Sequence, residues 1–451
     1  MKGVTIIGSG LAGSLLALYL ARRGYHIELY ESRPDLRKAA IDAGRSINLA
    51  MSCRGLTGLT EIGLRAKVTD ILAPMRARAI HEESGEIKYQ PFGRHNDEYI
   101  NAVQRNDLNA LLLNELELNP AVNLYFDTRL TKLDVHNKTL YFSQNNGEPL
   151  VRQYERLIGA DGSNSFVRET LCKENLITAT RTYMPHGYKE LSISGASPHG
   201  LAHEHLHLWP RDSFLLLGNP NCDHSVTGSL FLPHKGKNSF AELDNELAVT
   251  RFFSQAFADV YDSMPDLTHE FLNNPTGTMS TINCSRWYYQ DNCLLIGDAA
   301  HGIVPFFGQG MNCAFEDCRV LNGLLDQYHD DWQKVMPAFF ELRKKNTEAV
   351  AKMSMDNYHE IQSNIRNEQF NFKKRLNMEL MKRYPETYIS KHVLVMFTNT
   401  PYAEAEAIGE IQEQLLNQIC ETTNSITEIN WNTVTSFIKN YDKKLANLSA
   451  T

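Results

Sequence analysis

The sequence predicts an α/β chain: a Rossmann-like dinucleotide-binding domain, a mostly antiparallel β-sheet domain inserted into it, and a helical domain at the C-terminus. Three observations predict this. The opening segment MKGVTIIGSGLAGSLLALYLARRGYHIELYE, residues 1–31, reads as strand, glycine turn, helix and a second strand ending in an acid. Two later segments, ERLIGADG at 155–162 and NCLLIGDAA at 292–300, resume the pattern as short apolar strands with a carboxylate at their carboxyl ends, where ligands of open α/β sheets bind. Between and after them, runs of β-rich residues and then helical periodicity fill the rest of the 451 residues.

The first unit carries the most information. Gly8, Gly10 and Gly13 have GxGxxG spacing directly after the apolar run Val4 to Ile7, so the chain can turn tightly, bring bare backbone to a pyrophosphate and pack helix on strand. The amphipathic helix Leu11 to Arg23 offers phosphate its unpaired N–H groups and the positive end of its dipole. Glu31 closes the second strand about 20 residues on, where an acid accepts from ribose hydroxyls and prefers an unphosphorylated ribose. Lys2 before an apolar stretch would suit a signal peptide, but Ser9, Gly10 and Gly13 interrupt that stretch and it runs on into a strand. Export is not expected.

Composition narrows the class further. With 42% hydrophobic and 22% charged residues and a net charge of −8, the chain has material for two or three domains, and no basic stripe for a nucleic acid. Eight cysteines (Cys53, Cys172, Cys222, Cys284, Cys293, Cys313, Cys318 and Cys420) form no CxxC pair and read as free thiols of a reducing, cytoplasmic compartment. Outside the glycine-punctuated N-terminus there is no apolar run of about 18 residues, and 430–451 is polar, so no membrane span is expected.

The inserted sheet is expected from Lys189 to Ser194, His205 to Trp209, Ser213 to Leu217 and Ser225 to Pro233. After Gly310 the pattern turns helical: Ile408, Ile411, Leu415 and Ile419 recur at helical spacing, as do apolar residues in Trp332 to Met353 and Phe370 to Arg383, and core packing accounts for them. The expected boundaries are 1–180 for the dinucleotide domain with part of the sheet, 181–285 for the sheet domain, 286–330 for the return, and 331–451 for the helical domain.

GSGLAG at 8–13, GADG at 159–162 and GDAAH at 297–301, in that order and at those separations, resemble the three fingerprints of the single-component aromatic hydroxylases of the flavin monooxygenase class. Four more segments, GRSINLAMSCRG at 44–55, MRARAIH at 75–81, YMPHGYKEL at 183–191 and HGIVPFFGQGMNCAFEDC at 301–318, are similar to its kynurenine 3-monooxygenase branch. The resemblance runs to about Tyr358 and more loosely through the tail, where the apolar anchor of eukaryotic members has no match, which implies a soluble, bacterial-type enzyme. It implies non-covalent FAD in the Rossmann-like domain, a substrate sheet, and a helical domain that closes the site. Asp298 then resembles the acid that accepts from the ribityl chain, while Asp161 reads either as a cofactor contact or as the turn aspartate of an Asp-Gly loop.

On the same resemblance Arg45 and Arg105 hold FAD, a role that suits the bidentate guanidinium fork, and Gly308, Gly310, Met311 and Asn312 line the flavin ring. Pro305, Phe306 and Phe307 wall the space where dioxygen meets the substrate. Arg78 and Tyr99 match a pair that grips the carboxylate of L-kynurenine, and Asn357 and Tyr402 match residues that complete the clamp. Taken alone, Arg78 also suits a solvated arginine and Tyr99 an edge-strand aromatic. The implied reaction is NADPH-dependent: reduced FAD and dioxygen give a flavin hydroperoxide, whose distal oxygen passes to the ring carbon ortho to the amino group, yielding 3-hydroxykynurenine and water. The protein orients the ring and keeps water out.

NADPH has no second GxGxxG of its own, which fits a nicotinamide that visits the flavin transiently. His301, Cys53 and Cys313 have no metal-ligand spacing. Other readings that share the three fingerprints are another aromatic hydroxylase, a halogenase, whose WxWxIP tract is missing here, and a flavin redox sensor without turnover. The sequence sets no oligomeric state; a homodimer is compatible with it.

Overall fold

The computed structural model describes residues 2–38, 48–145, 147–195, 201–363 and 368–449, so Arg45 lies outside the described residues. The dinucleotide sheet has six strands in the order Tyr288–Tyr289, Cys293–Leu295, Leu157–Gly159, Gly3–Ile7, His26–Tyr30 and Val122–Tyr125, all parallel except the first pair. Ile7 pairs with Gly159 and Gly159 with Leu295. The three motifs therefore leave three adjacent strands at one level, which is what brings residues 150 and 290 positions apart to one ligand-binding edge. The strands are apolar on both faces because helices cover both: Ile6, Leu157, Ile158, Leu294 and Leu295 have no exposed surface, nor do Leu15, Leu16 and Leu20 of the helix Leu11–Arg22.

The second sheet has seven strands, in the order Gly277–Cys284, Ala179–Ile193, Val226–Pro233, Leu215–Pro220, His205–Pro210, Ala77–His81 and Ile87–Pro91. It is antiparallel apart from the pairing of His205–Pro210 with Ala77–His81. Its two faces follow from the period-two alternation of side chains. Trp209, Leu216, Leu230 and Leu232 point to one side, where helices Glu246–Ala256, Ala258–Tyr261 and Leu267–Asn273 cover them. Leu208, Leu215, Leu217 and Phe231 point to the other, against Val304, Phe306 and Tyr358. His81 bonds Asp259 on the helix-covered side, so Arg78 three residues earlier stands on the opposite side with Leu206 and Leu208.

Helices Trp332–Ser363, Glu368–Arg383, Lys391–Phe397, Tyr402–Cys420 and Trp431–Ser449 complete the chain. The tail that reads as polar is an amphipathic helix: Val434, Ile438 and Tyr441 form its buried stripe against Leu376, Leu416 and Ile419. No described helix is long and apolar enough to cross a membrane.

A charged junction joins these helices to the dinucleotide domain. Arg54, Glu316, Asp317 and Arg343 are all at most 3% exposed. Glu316 accepts from Arg54 Nη1 at 2.6 Å and from Arg343; Asp317 accepts from Arg343 Nε at 2.7 Å, His301 Nε2 at 2.5 Å and the Gly297 N–H at 3.2 Å. The remaining Arg54 donors reach the carbonyls of Val395 and Thr400. Burial alone would push the Asp317 carboxyl up, but His301 and Arg343 outweigh it and hold it below the usual carboxylate range. Removing one partner of such a cluster strands a buried charge. Arg343→Met is therefore expected to lower the unfolding free energy by about 3–5 kcal/mol in urea denaturation; a loss under about 1 kcal/mol would show the junction to be dispensable.

Candidate active site

The three glycines of the first turn are not equivalent. A Cβ on Gly8, which has φ of +102°, would meet the Ala160 carbonyl oxygen at 2.5 Å, and one on Gly13 would meet the Gly8 oxygen at 2.0 Å. Both are demanded by packing within the chain. A Cβ on Gly10 meets nothing within 4 Å, and its φ of −68° suits any residue. The space beside Gly10, at the uncapped N-terminus of Leu11–Arg22, is a cradle of bare N–H groups for an anion. Glu31 borders it: Oε2 accepts from the Ser9 N–H at 3.1 Å, and Oε1 from the Arg33 N–H and Nε, both at 2.9 Å. Burial would raise its pKa, but those donors prevail and keep it ionised below the usual range.

Asp298 is the only exposed residue between Asn292 and Gly302, a carboxylate left open at the head of the helix Asp298–His301. Arg105 is exposed at the first position of the helix Arg105–Glu117. Asp161 bonds its own loop, with Oδ2 accepting from the Val167 N–H at 3.1 Å, as the turn reading anticipates. The open space beside Gly10, the uncapped helix, the ionised Glu31 and the exposed Asp298 are chemically compatible with the phosphate and hydroxyl groups of FAD.

The loop after Ile303 forms the floor. Pro305–Phe307 is a single 3-10 turn closed by Gly308 at φ +63°, a left-handed position that favours glycine. Asn312, expected beside the flavin ring, turns its amide inward: Nδ2 donates to the Ala50 and Gly308 carbonyls at 2.8 and 2.9 Å, and Oδ1 accepts from the Ser52 N–H at 2.9 Å. Asn357 and Tyr402, expected on the substrate carboxylate, also hold this loop. Asn357 Nδ2 donates to the Phe306 carbonyl at 2.8 Å, and the Tyr402 hydroxyl, with no exposed surface, donates to Gln309 Oε1 at 2.8 Å. Their donors brace the floor from two helices.

Phe306 packs on Phe231 and Tyr358, at ring-centroid distances of 5.1 and 4.8 Å. Tyr358 is fixed in turn by a 2.8 Å hydrogen bond to His186 Nδ1, whose Nε2 bonds the Ser213 carbonyl at 2.8 Å. Tyr99 does not face Arg78 through a close contact; the guanidinium over its ring is that of Arg76, at 4.9 Å.

Among the described residues, Arg78 differs from the buried arginines. Arg54 and Arg343 are saturated by carboxylates and carbonyls, whereas Arg78, among the described residues, makes one hydrogen bond, Nη1 to Gln90 Oε1 at 3.4 Å, and otherwise lies over the Phe92 ring at 4.8 Å. Its side chain is partly exposed, and desolvation pushes the guanidinium pKa down. His301, Cys313 and Asp317 come within 4.8 Å of one another, but Asp317 already binds His301 and the Arg343 guanidinium, which fills the cation's place.

The sequence profile of the FAD binding domain family matches residues 1–213 and 250–333. The chain is 62% identical over 448 residues to kynurenine 3-monooxygenase of Legionella pneumophila (strain Corby), covering 99% of this chain and all of that one. It belongs to the kynurenine 3-monooxygenase family. A member from Myxococcus xanthus (strain DK1622) is 41% identical, with 93% and 90% of the two chains covered. Two solved structures share the fold at low identity. The tetrameric form of 2-methyl-3-hydroxypyridine-5-carboxylic acid oxygenase superposes with a TM-score of 0.66 at 17% identity, over 81% of this chain and 94% of that one. PqsL of P. aeruginosa in complex with 2-aminobenzoylacetate gives 0.65 at 20%, over 80% and 97%.

Within this family's fold, sequence reading missed Glu190 in YMPHGYKEL. Glu190 pairs across strands with Ser229, whose hydroxyl donates to it at 3.2 Å, and burial pushes its carboxyl up to about 8. Two predictions arise. Gly10→Val should fold normally by circular dichroism yet retain no FAD, whereas Gly13→Val should fail to fold; full flavin content in Gly10→Val would show that the cradle is misplaced. Because the Glu190 pKa stands above its unfolded value of 4.5, the native state holds a proton that the unfolded chain releases, and stability falls as pH rises from 4.5 towards 8. The stability of Glu190→Gln relative to the parent should therefore grow over that interval in urea denaturation.

Proposed function

We propose that this chain hydroxylates L-kynurenine to 3-hydroxykynurenine in the cytoplasm, with FAD as its non-covalent cofactor and NADPH and dioxygen as co-substrates. The observation that carries the substrate reading is the bare guanidinium of Arg78. A half-buried cation with a single long hydrogen bond is a receptor for a carboxylate, and a charge-assisted pair there anchors an amino acid by its polar end. The family relatives' names supply the same substrate. Bound FAD would supply oxygen activation after reduction by NADPH.

The chain's own residues bind, orient and shield. Gly8, Gly10, Gly13 and Glu31 hold the adenosine half, Asp298 the ribityl chain, and Arg45 and Arg105 are assigned to the phosphates. Phe306, kept in place by Asn357 and by the Tyr358–His186 pair, walls the chamber with Phe231 and Leu215, and this apolar lining excludes water from the reacting oxygen. Tyr99 is assigned to the same carboxylate as Arg78. Anchoring at Arg78 sets how far the aromatic ring reaches toward the floor, so one contact governs both affinity and register.

Losing a hydrogen bond to a charged group costs roughly 1.5–3 kcal/mol, so Arg78→Ala should weaken L-kynurenine binding about 10- to 150-fold and leave FAD content unchanged. Arg78→Lys, which lacks the planar fork, should recover part. Hydrogen peroxide released per NADPH consumed should rise in both. Wild-type affinity and coupling in Arg78→Ala would remove Arg78 from the site; full activity on another aniline with none on L-kynurenine would favour a different aromatic hydroxylase.

A further inference from the structure

We infer that His392, the second residue of the helix Lys391–Phe397, is a further substrate-binding residue, whose imidazole donates a hydrogen bond to the same amino-acid carboxylate that Arg78 holds. The inference rests on the amino-acid substrate reading above and goes beyond it by assigning a residue with no established role. Three independent observations converge on it.

The first is a missing partner. His392 Nε2 is buried without a hydrogen bond among the described residues. The buried histidines His81, His186 and His301 are engaged, with Asp259 and His207, with Ser213 and Tyr358, and with Asp317; His203 and His205, partly buried like His392, also each hide an unmatched ring nitrogen, so it is the setting that singles out His392. An imidazole has one donor and one acceptor when neutral, and leaving a buried one unmatched is unfavourable unless a ligand completes it.

The second is position. The His392 ring lies parallel to Phe92 at 6.2 Å, and Phe92 also carries the Arg78 guanidinium at 4.8 Å, so imidazole and guanidinium pack on one aromatic ring. On its other side His392 meets the edge of Phe307 at 6.1 Å, within the floor loop. Like Arg78, it is partly exposed. It thus stands between the polar end of the chamber and its reacting end.

The third is charge. Arg78 and Lys374 are the cations that act on His392, and Glu360, the acid nearest to both, is already paired with Lys374. Among the described residues this leaves the cluster one positive charge in excess. Burial, followed by those two cations, pushes the His392 pKa well down and keeps the ring neutral, with one N–H to give. A ligand group with one negative charge and two acceptor oxygens completes the cluster: one oxygen for Arg78 and one for the imidazole.

The test uses the FAD-loaded enzyme and two ligands: L-kynurenine, and 2-aminoacetophenone, which keeps the aromatic ring and ketone but lacks the amino-acid end. His392→Phe, which keeps the ring packing, should lose about tenfold in L-kynurenine affinity, the effect of one hydrogen bond to a charged group, with 2-aminoacetophenone binding and FAD content unchanged. His392→Gln, which retains a donor, should recover part of the loss. Unchanged L-kynurenine affinity overturns the inference, and so does equal weakening of both ligands, which marks a packing role. Should the variants fail to fold, imidazole NMR of the wild-type enzyme decides: L-kynurenine should shift one buried histidine that 2-aminoacetophenone leaves alone, and absence of that shift overturns the assignment. Failure of the wild-type enzyme to bind L-kynurenine at all would instead overturn the substrate reading, and would be seen before any variant is made.

Discussion

Two guanidiniums facing two carboxylates inside the chain hold the rest of the structure in register. Arg54 comes from the helix that follows the strand Asn48–Met51, Glu316 and Asp317 from the helix behind the floor loop, and Arg343 from the long helix that opens the C-terminal domain. Four buried charges that sum to zero are tolerated only because nearly every donor and acceptor is matched, through the Gly297 N–H, His301 and the carbonyls of Cys313, Val395 and Thr400. The geometry of the third nucleotide motif is thereby coupled to the seat of the helical domain. Tyr402 adds to this coupling from above, its ring under Arg54 at 3.9 Å and its hydroxyl on Gln309.

The same chemistry makes the unmatched groups informative. A guanidinium has five N–H donors, and where the chain uses arginine for structure it fills them. Arg78, on the sheet face turned toward the floor loop, departs from that practice, and His392, on the helix Lys391–Phe397, packs on the same Phe92 ring. A polar group buried without partners is unfavourable in a chain at rest, so its persistence beside a second one marks a place shaped for something that arrives.

What could be read from the sequence was whatever local physics alone determines. The glycine spacing, the two later acid-terminated strands and the inserted strands are written in short windows, because turn conformation, helix dipole and period-two alternation act over a few residues. The pairing of Ala77–His81 with His205–Pro210 was not legible, since nothing within either strand specifies a parallel partner some 130 residues away. The same limit hid His392, which looks like any histidine at a helix start until Phe92 and Phe307 are folded around it. It also hid the bonds by which Asn357 and Tyr402 donate to the floor loop. The resemblance to a family carried them over as contacts, and only side-chain geometry shows what they touch here.

The strand order has a bearing on how such a chain comes into being. The central strand Gly3–Ile7 is among the first parts made, yet its neighbour Leu157–Gly159 is flanked by Cys293–Leu295, and the substrate sheet cannot close before Gly277–Cys284 has joined Ala179–Ile193. During synthesis, close to two-thirds of the polypeptide must therefore emerge before either sheet is complete. Contacts so distant along the chain form slowly, because loop closure has to precede the reward of pairing. The two sheets are therefore completed almost together, as a late event in the making of the chain.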